Sequence, residues 1–293
     1  MALLTKVKTR MAIHAHRKVR GLLDGAYASL HSGRSMDFHD LREYVAGDEV
    51  RDLDWKASAR RGELLVRRYV ADRKHTISLV VSTSRSMAGH ADLQSSKQEL
   101  AIMVAGIIGW LAVKHGDRVL LVAGNSAGCR LTRPGSTEIA LERMLQLVQQ
   151  GCTESAPSAD LTGLLGHVVR TVRRSTILLV ICDDVALDAA SERQLRRLRA
   201  QHEVLFVTLA DLDPTAPELR QILLWEVDSG QPGVDFLTDP ALHAELAEAT
   251  VERHRQRRET LDRLGIASEH VTGAEQVVPA VFRLLERHRH ATR

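Results

Sequence analysis

Aromatic residues are scarce in this chain, at 3% of 293 positions, which removes most of the stacking surface on which single-stranded nucleic acid binders rely. Charge of one sign is lacking too. Forty Lys and Arg stand against 37 Asp and Glu, a formal net charge of +3, where a nucleic-acid footprint is usually more one-sided. No nucleic-acid partner is therefore expected, and the basic stretches at 253–258 and 283–293 read as solvated helix faces. Cys129, Cys152 and Cys182 are odd in number, widely spaced and form no Cys-x-x-Cys pair. Neither a zinc site nor a disulfide framework is indicated, and the thiols read as those of a reducing, cytoplasmic setting. The longest apolar run, 101–113, is interrupted by Gly106 and Gly109 and is too short to span a bilayer, so a buried helix is expected there. Residues 1–21 lack a hydrophobic core followed by a small-residue cleavage site, so they do not read as a secretory leader. Phosphate-cradling glycine loops are absent as well. No catalytic or nucleotide-binding residue is assigned, and no enzyme activity is expected.

What is present is an alternation. A length of 293 residues can bury a sizeable core, as one α/β domain or as one domain with an extension. From Thr76 onward, β-branched runs (76–82, 118–123, 176–182, 203–209) are separated by helical patterns (93–115, 136–150, 160–173, 191–201). The fully apolar run at 176–182 fits a strand covered on both faces. Short strands are expected at 223–227 and 234–237, a long charged helix from 240 to 264, an edge strand at 269–272 and a last helix at 274–288. The fold class is α/β: a Rossmann-like, doubly wound, mostly parallel sheet over residues 75–293 with a helical C-terminal part.

Residues 1–74 read as an N-terminal extension, helical and then irregular. Leu4, Val7, Met11, Ala15, Val19 and Leu22 recur at spacings of three and four, opposite Lys6, Lys8, Arg10, Arg17 and Lys18. A membrane-surface helix has this pattern, so peripheral membrane contact stays open. The stripe is narrow and has no aromatic anchor, which favours packing on the protein's own domain.

Two adjacent stretches carry a resemblance: Met36-Asp-Phe-His-Asp-Leu-Arg-Glu-Tyr-Val-Ala-Gly-Asp48, continuing through Val50-Arg-Asp-Leu-Asp-Trp55 to Ser58-Ala-Arg60, and Leu65-Val-Arg-Arg-Tyr69 before the strand at Thr76. Their order and spacing resemble the family called domain of unknown function 58. Phe236-Leu-Thr-Asp-Pro240, followed by a charged helix and Arg263-Leu-Gly265, is similar to its C-terminal half. The resemblance implies a von Willebrand factor A-like fold and an adaptor acting beside a MoxR-type AAA+ ATPase.

In such a fold a magnesium ion is held at the carboxyl ends of the strands by Asp-x-Ser-x-Ser, a Thr and a further Asp, all hard oxygen donors. Here Ser82-Thr-Ser-Arg-Ser86 falls on the first loop, so Ser84 and Ser86 match whereas Ser82 replaces the carboxylate. Ser158-Ala-Asp-Leu161 falls on the second, with Ala159 in the Thr position, and Asp183 fits the third. The resemblance thus implies a degenerate metal-ion-dependent adhesion site whose remaining metal donors are Ser84, Ser86 and Asp183. Magnesium binding is expected to be weak or absent, with no other cofactor. The same serines also suit a loop that caps the following helix. The partner-binding surface is expected to include Ser82, Asp160 and Asp184 at the crest, and Arg42, Asp48 and Asp54 in the extension.

Clustered carboxylates at Asp48, Asp52 and Asp54, near Glu43, also suit a metal-dependent phosphoesterase, the alternative function. Arg42, Arg51, Lys56, Arg60 and Arg61 lie among them, a pattern more typical of a salt-bridge lattice, and Trp55 reads as a packing anchor. The fourteen histidines, including His14, His16, His254, His288 and His290, show no ligand spacing and read as solvated.

Overall fold

The computed structural model describes residues 2–14, 17–29, 38–45, 48, 53–69, 75–219, 224–232 and 240–291. Two helices, α1 (Leu3–His14) and α2 (Arg17–Ser29), precede β1 (Phe38–Glu43), α3 (Trp55–Arg61) and β2 (Leu65–Tyr69). Strand and helix then alternate through β3 (Thr76–Ser82), α4 (Lys97–Lys114), β4 (Arg118–Asn125), β5 (Gly128–Leu131), α5 (Glu138–Gly151) and α6 (Leu161–Thr171). The chain continues with β6 (Ile177–Cys182), α7 (Ala189–Gln201), β7 (Glu203–Leu209), α8 (Pro240–Arg263), β8 (Ala267–Val271) and α9 (Val277–Ala291).

Six strands form one sheet in the order β5-β4-β3-β6-β7-β8, parallel throughout except for β5, which runs antiparallel to β4 at one edge. Val80 of β3 lies opposite Val122 of β4 and Val180 of β6, so β3 sits centrally and the winding direction reverses between β3 and β6. Successive side chains of a strand face opposite ways. Ile77, Leu79 and Val81, with Ile177, Leu179 and Ile181, face a core that includes Leu100, Ile107, Leu145 and Leu284. Val80, Leu178, Val180 and Cys182 face a second core with Leu164, Val168, Leu198 and Leu261. The sheet is thus covered on both faces, as its unbroken apolar strands require.

Differences from expectation are local. The edge strand β5 carries no apolar alternation, being largely exposed, and was not foreseen. The helix placed from Ser136 starts at Glu138, with Thr137 as its cap accepting from the Ala140 amide at 3.2 Å. No strand forms at 224–227. Trp225 makes only an isolated bridge to Pro232, and 234–237 lies outside the described residues.

The apolar stripe of α1 is used inside the protein. Leu4, Val7 and Met11 are buried, and a Cβ on Gly106 would come within 2.8 Å of Val7, so that glycine in α4 permits the close approach of α1. The Glu142 carboxylate accepts the Leu3 and Leu4 amides at 2.9 and 2.7 Å, satisfying N–H groups that open the helix. Tyr27 of α2 donates a buried hydrogen bond of 2.8 Å to Asp117, whose other oxygen accepts the His75 amide. Among the described residues no helix is long and apolar enough to cross a membrane.

Candidate functional site

Open α/β sheets bind ligands outside the carboxyl ends of their strands, at the point where the winding reverses. Here that point is the crest between Ser82, ending β3, and Asp183, just after β6. Ser82, Ser84 and Ser86 are buried and joined in a chain, with Oγ separations of 3.2 and 2.8 Å. Ser86 Oγ donates to Asp183 Oδ2. The four residues read from the sequence as one crest do meet.

Asp183 is 6% exposed, and its second oxygen, Oδ1, is buried without a hydrogen-bond partner. Burial pushes its carboxyl above the usual range, against the opposing pull of the Ser86 hydroxyl and the Lys97 ammonium. Lys97 is itself nearly buried and pairs with Asp211 beyond β7. A fixed positive charge therefore stands near the crest carboxylate.

The loop before α6 flanks this crest: the Arg85 amide donates to Pro157 O at 3.0 Å and Arg85 Nε to Ala156 O at 3.1 Å. Ala159 offers no side-chain oxygen. Asp160 caps α6, accepting the Gly163 amide at 2.7 Å, which is a structural use for a residue also assigned to partner binding. Arg85 also reaches Asp228 O at 3.1 Å, so the 224–232 segment borders the crest on another side.

Asp184 faces the other way. Its carboxylate pairs with Arg257, accepts from His254 Nε2 at 2.8 Å and lies 3.8 Å from Arg253 Nε. Burial pulls its pKa up, but Arg257 with His254 outweighs burial and holds the carboxyl below the usual range. His270, on β8, lies against His254 with ring centroids 4.4 Å apart and the planes tilted by 52°, and meets Thr208 Oγ1 through Nδ1 at 2.9 Å. Burial first, then the neighbouring His254, depress the His270 pKa to about 4, so its imidazole is neutral near pH 7.

This cluster corrects the view of the histidines as solvated: His254 and His270 are partly buried, His202 is fully buried, and His288 is buried against Glu203 at 3.0 Å. No sequence spacing announced it, because Asp184, His254 and His270 come from three separate elements.

The assigned residues of the extension sit on a different unit. Strands β1 and β2 pair antiparallel, with Arg42 opposite Val66 and Glu43 opposite Leu65. Asp48 accepts the Val45 amide at 2.9 Å and Asp54 caps α3 through the Ala57 amide at 3.0 Å. Ser58 Oγ receives the Leu65 amide at 2.8 Å, tying α3 to β2. Asp52 lies outside the described residues. Trp55 is not a packing anchor: it is the first residue of α3, directly after the Asp54 cap, and its side chain is 62% exposed.

The strand order, the antiparallel edge and the serine–aspartate crest at the switch point define a von Willebrand factor A-like domain. The profile of the family described as "Protein of unknown function DUF58" matches residues 40–257, and the chain belongs to that family. It is 29% identical over 237 residues to uncharacterized proteins of Mycobacterium tuberculosis and Mycobacterium bovis, a match covering 80% of this chain and 73% of theirs. Among solved structures, a von Willebrand factor type A protein from Catenulispora acidiphila overlaps with a TM-score of 0.43 at 12% identity, covering 78% of this chain and 44% of that one. An aerotolerance-related membrane protein from Bacteroides fragilis gives a TM-score of 0.44 at 14% identity, covering 72% of this chain and 98% of its own. The sheet topology carries the fold assignment and the profile match the family membership; these overlaps carry neither.

Proposed function

We propose that the chain is a non-catalytic protein-binding module and that its partner is a MoxR-type AAA+ ATPase. The observation that carries the binding reading is the exposure of apolar side chains in the family-motif segment. Trp55 is 62% exposed, Val45 62% and Leu64 48%, on backbone joined by the Tyr44 amide to Leu64 O at 2.8 Å and the Asp54 amide to Leu65 O at 2.9 Å. Large exposed side chains held on paired backbone are the usual anchors of an interface, tryptophan above all. Arg42, Asp48 and Asp54 belong to the same unit; of the other residues assigned to the partner surface, Asp160 is exposed at the crest, whereas Ser82 and Asp184 are buried and give a partner little to touch. The family resemblance, with its association with such ATPases, supports the choice of partner.

A resident magnesium ion does not fit the crest as built. The orphaned Asp183 Oδ1 offers one open ligand position, but Ser82 brings no carboxylate and Lys97 already places an ammonium nearby. Magnesium sheds water reluctantly and needs charged oxygens to do so. Binding there is weak or absent in this reading, and the crest works without a resident ion. The phosphoesterase alternative, through Asp48, Asp52 and Asp54, gains no support from Asp48 and Asp54, which serve backbone amides.

Co-purification from the native host, with and without ATP, tests the partner. Recovery of a MoxR-type ATPase by the wild-type protein, lost with Trp55→Ala, is the expected result. Absence of any such ATPase under both conditions would sink the reading.

A further inference from the structure

Beyond the crest, at the carboxyl ends of β6, β7 and β8, Asp184, His254 and His270 each offer one donor atom, and these atoms all lie within 4.8 Å of one another. We propose that these three residues form a zinc-binding site separate from the serine crest. Two imidazole nitrogens and one carboxylate, with a position left for water, make a donor set suited to zinc. Magnesium and calcium prefer all-oxygen shells.

The surroundings already hold each donor in place. Thr208 Oγ1 lies 2.9 Å from His270 Nδ1 and holds the ring; in the tautomer with its proton on Nδ1, the hydroxyl accepts that proton and Nε2 keeps its lone pair for an ion. Such an outer partner, fixing the tautomer and the ring, is the usual companion of a metal-bound histidine. Arg257 holds Asp184 Oδ1, and its guanidinium is also anchored on Val185 O at 3.2 Å. That leaves Asp184 Oδ2 directed at His254 Nε2, 2.8 Å away. An ion entering between these two atoms replaces the proton they share, which is taken up by His254 Nδ1 or released to solvent. The His254 side chain is 33% exposed, which supplies both access and a water ligand.

The same surroundings set the limits of the site. Arg257 and Arg253 place two guanidiniums beside the Asp184 carboxylate, the one acidic donor of the three. A dication held mainly by charge is disfavoured there, whereas one held through neutral nitrogens tolerates it better. The site therefore favours zinc over hard cations and binds it reversibly rather than as a permanent structural ion.

The inference stands apart from the ATPase partner and is tested without it. Tag-free protein stripped with EDTA is titrated calorimetrically with zinc chloride, and with cobalt(II) as an absorbing substitute. One zinc per chain is expected, with cobalt absorption bands of imidazole-ligated metal, and no comparable step with magnesium. His254→Ala removes a ligand that is partly exposed and should weaken zinc by more than about 100-fold. Thr208→Val removes only the outer partner and should weaken it by about tenfold, within the range for such partners. Metal-free melting curves of both variants verify that they fold; if either fails to fold, His254→Gln takes its place in the same titration. Absence of a one-to-one zinc step in the wild type would overturn the site. So would folded variants that bind zinc as tightly as wild type, since the ion would then sit on other histidines.

Discussion

Asp183 and Asp184 are neighbours in the chain with the same side chain and nearly the same burial, each 6% exposed, yet their environments push them in opposite directions. Strand β6 ends at Cys182, and its alternation carries on into the two aspartates. Ile181 belongs to the core containing α4 and Cys182 to the core containing Leu261 of α8. Asp183 accordingly meets Ser86 and the field of Lys97, which opens α4, whereas Asp184 meets Arg257 and His254 of α8. One carboxylate is left with hydroxyls and a buried bare oxygen; the other has a buried guanidinium. The identity of a charged residue thus fixes little until the face of the sheet is known.

The largest test of this contrast is Asp184→Ala. Arg257 is 5% exposed, so removal of Asp184 leaves a buried, uncompensated guanidinium. Breaking one side of a buried pair costs about 3–5 kcal/mol. Urea denaturation in EDTA should show a loss of that size. A loss below about 1 kcal/mol, the level of an exposed pair, would mean that Arg257 escapes to water and that the two aspartates do not differ as described.

Much of this arrangement was legible in the sequence, and the rest was hidden for physical reasons. The central strands announced themselves because burial on both faces demands continuous apolar runs, and β7 was read with its bounds intact at Glu203–Leu209. β5 was hidden because an exposed edge strand needs no apolar pattern. The meeting of Ser82, Ser84, Ser86 and Asp183 was legible through the family resemblance. The exposure of Trp55 was not: a tryptophan among charges reads as an anchor, and its place at the start of α3 does not by itself fix which way it faces. His254 and His270 could not be paired in advance, since α8 and β8 bring them together only after the sheet is assembled.

A smaller effect is expected from Ser82→Asp, which gives the crest the second carboxylate it lacks. Without metal, two buried carboxylates and only one nearby ammonium should lower stability by about 2 kcal/mol, the middle of the usual range for such changes. Magnesium should then restore it: a ligand at 100 times its dissociation constant contributes about 2.7 kcal/mol. Melting curves in EDTA and in millimolar magnesium give the comparison directly. The wild type should show no magnesium-dependent rise. An equal rise in wild type and variant would show that Ser84, Ser86 and Asp183 suffice for the ion, and that the crest is less degenerate than its donor set implies.

The smallest effect, and the sharpest in sign, belongs to Asp183→Asn. The amide keeps an acceptor for Ser86 and removes a charge that burial opposes, so stability at neutral pH should change by no more than about 1 kcal/mol. The pH dependence separates the two aspartates further. Asp183 has a folded-state pKa raised above 3.8, so the folded protein holds its proton longer than the unfolded chain does. Wild-type stability from this group is therefore greatest in acid and falls as pH rises through the raised value. Relative to wild type, Asp183→Asn should gain stability over that window and level off above it. Asp184 has a lowered pKa, so its contribution is present above 3.8 and lost as pH falls through the folded value. The penalty of Asp184→Ala should accordingly shrink in acid. Denaturation of both variants in EDTA, from neutral pH down to the edge of acid unfolding, should give difference curves of opposite slope; parallel curves would mean that the two faces of the sheet treat their carboxylates alike.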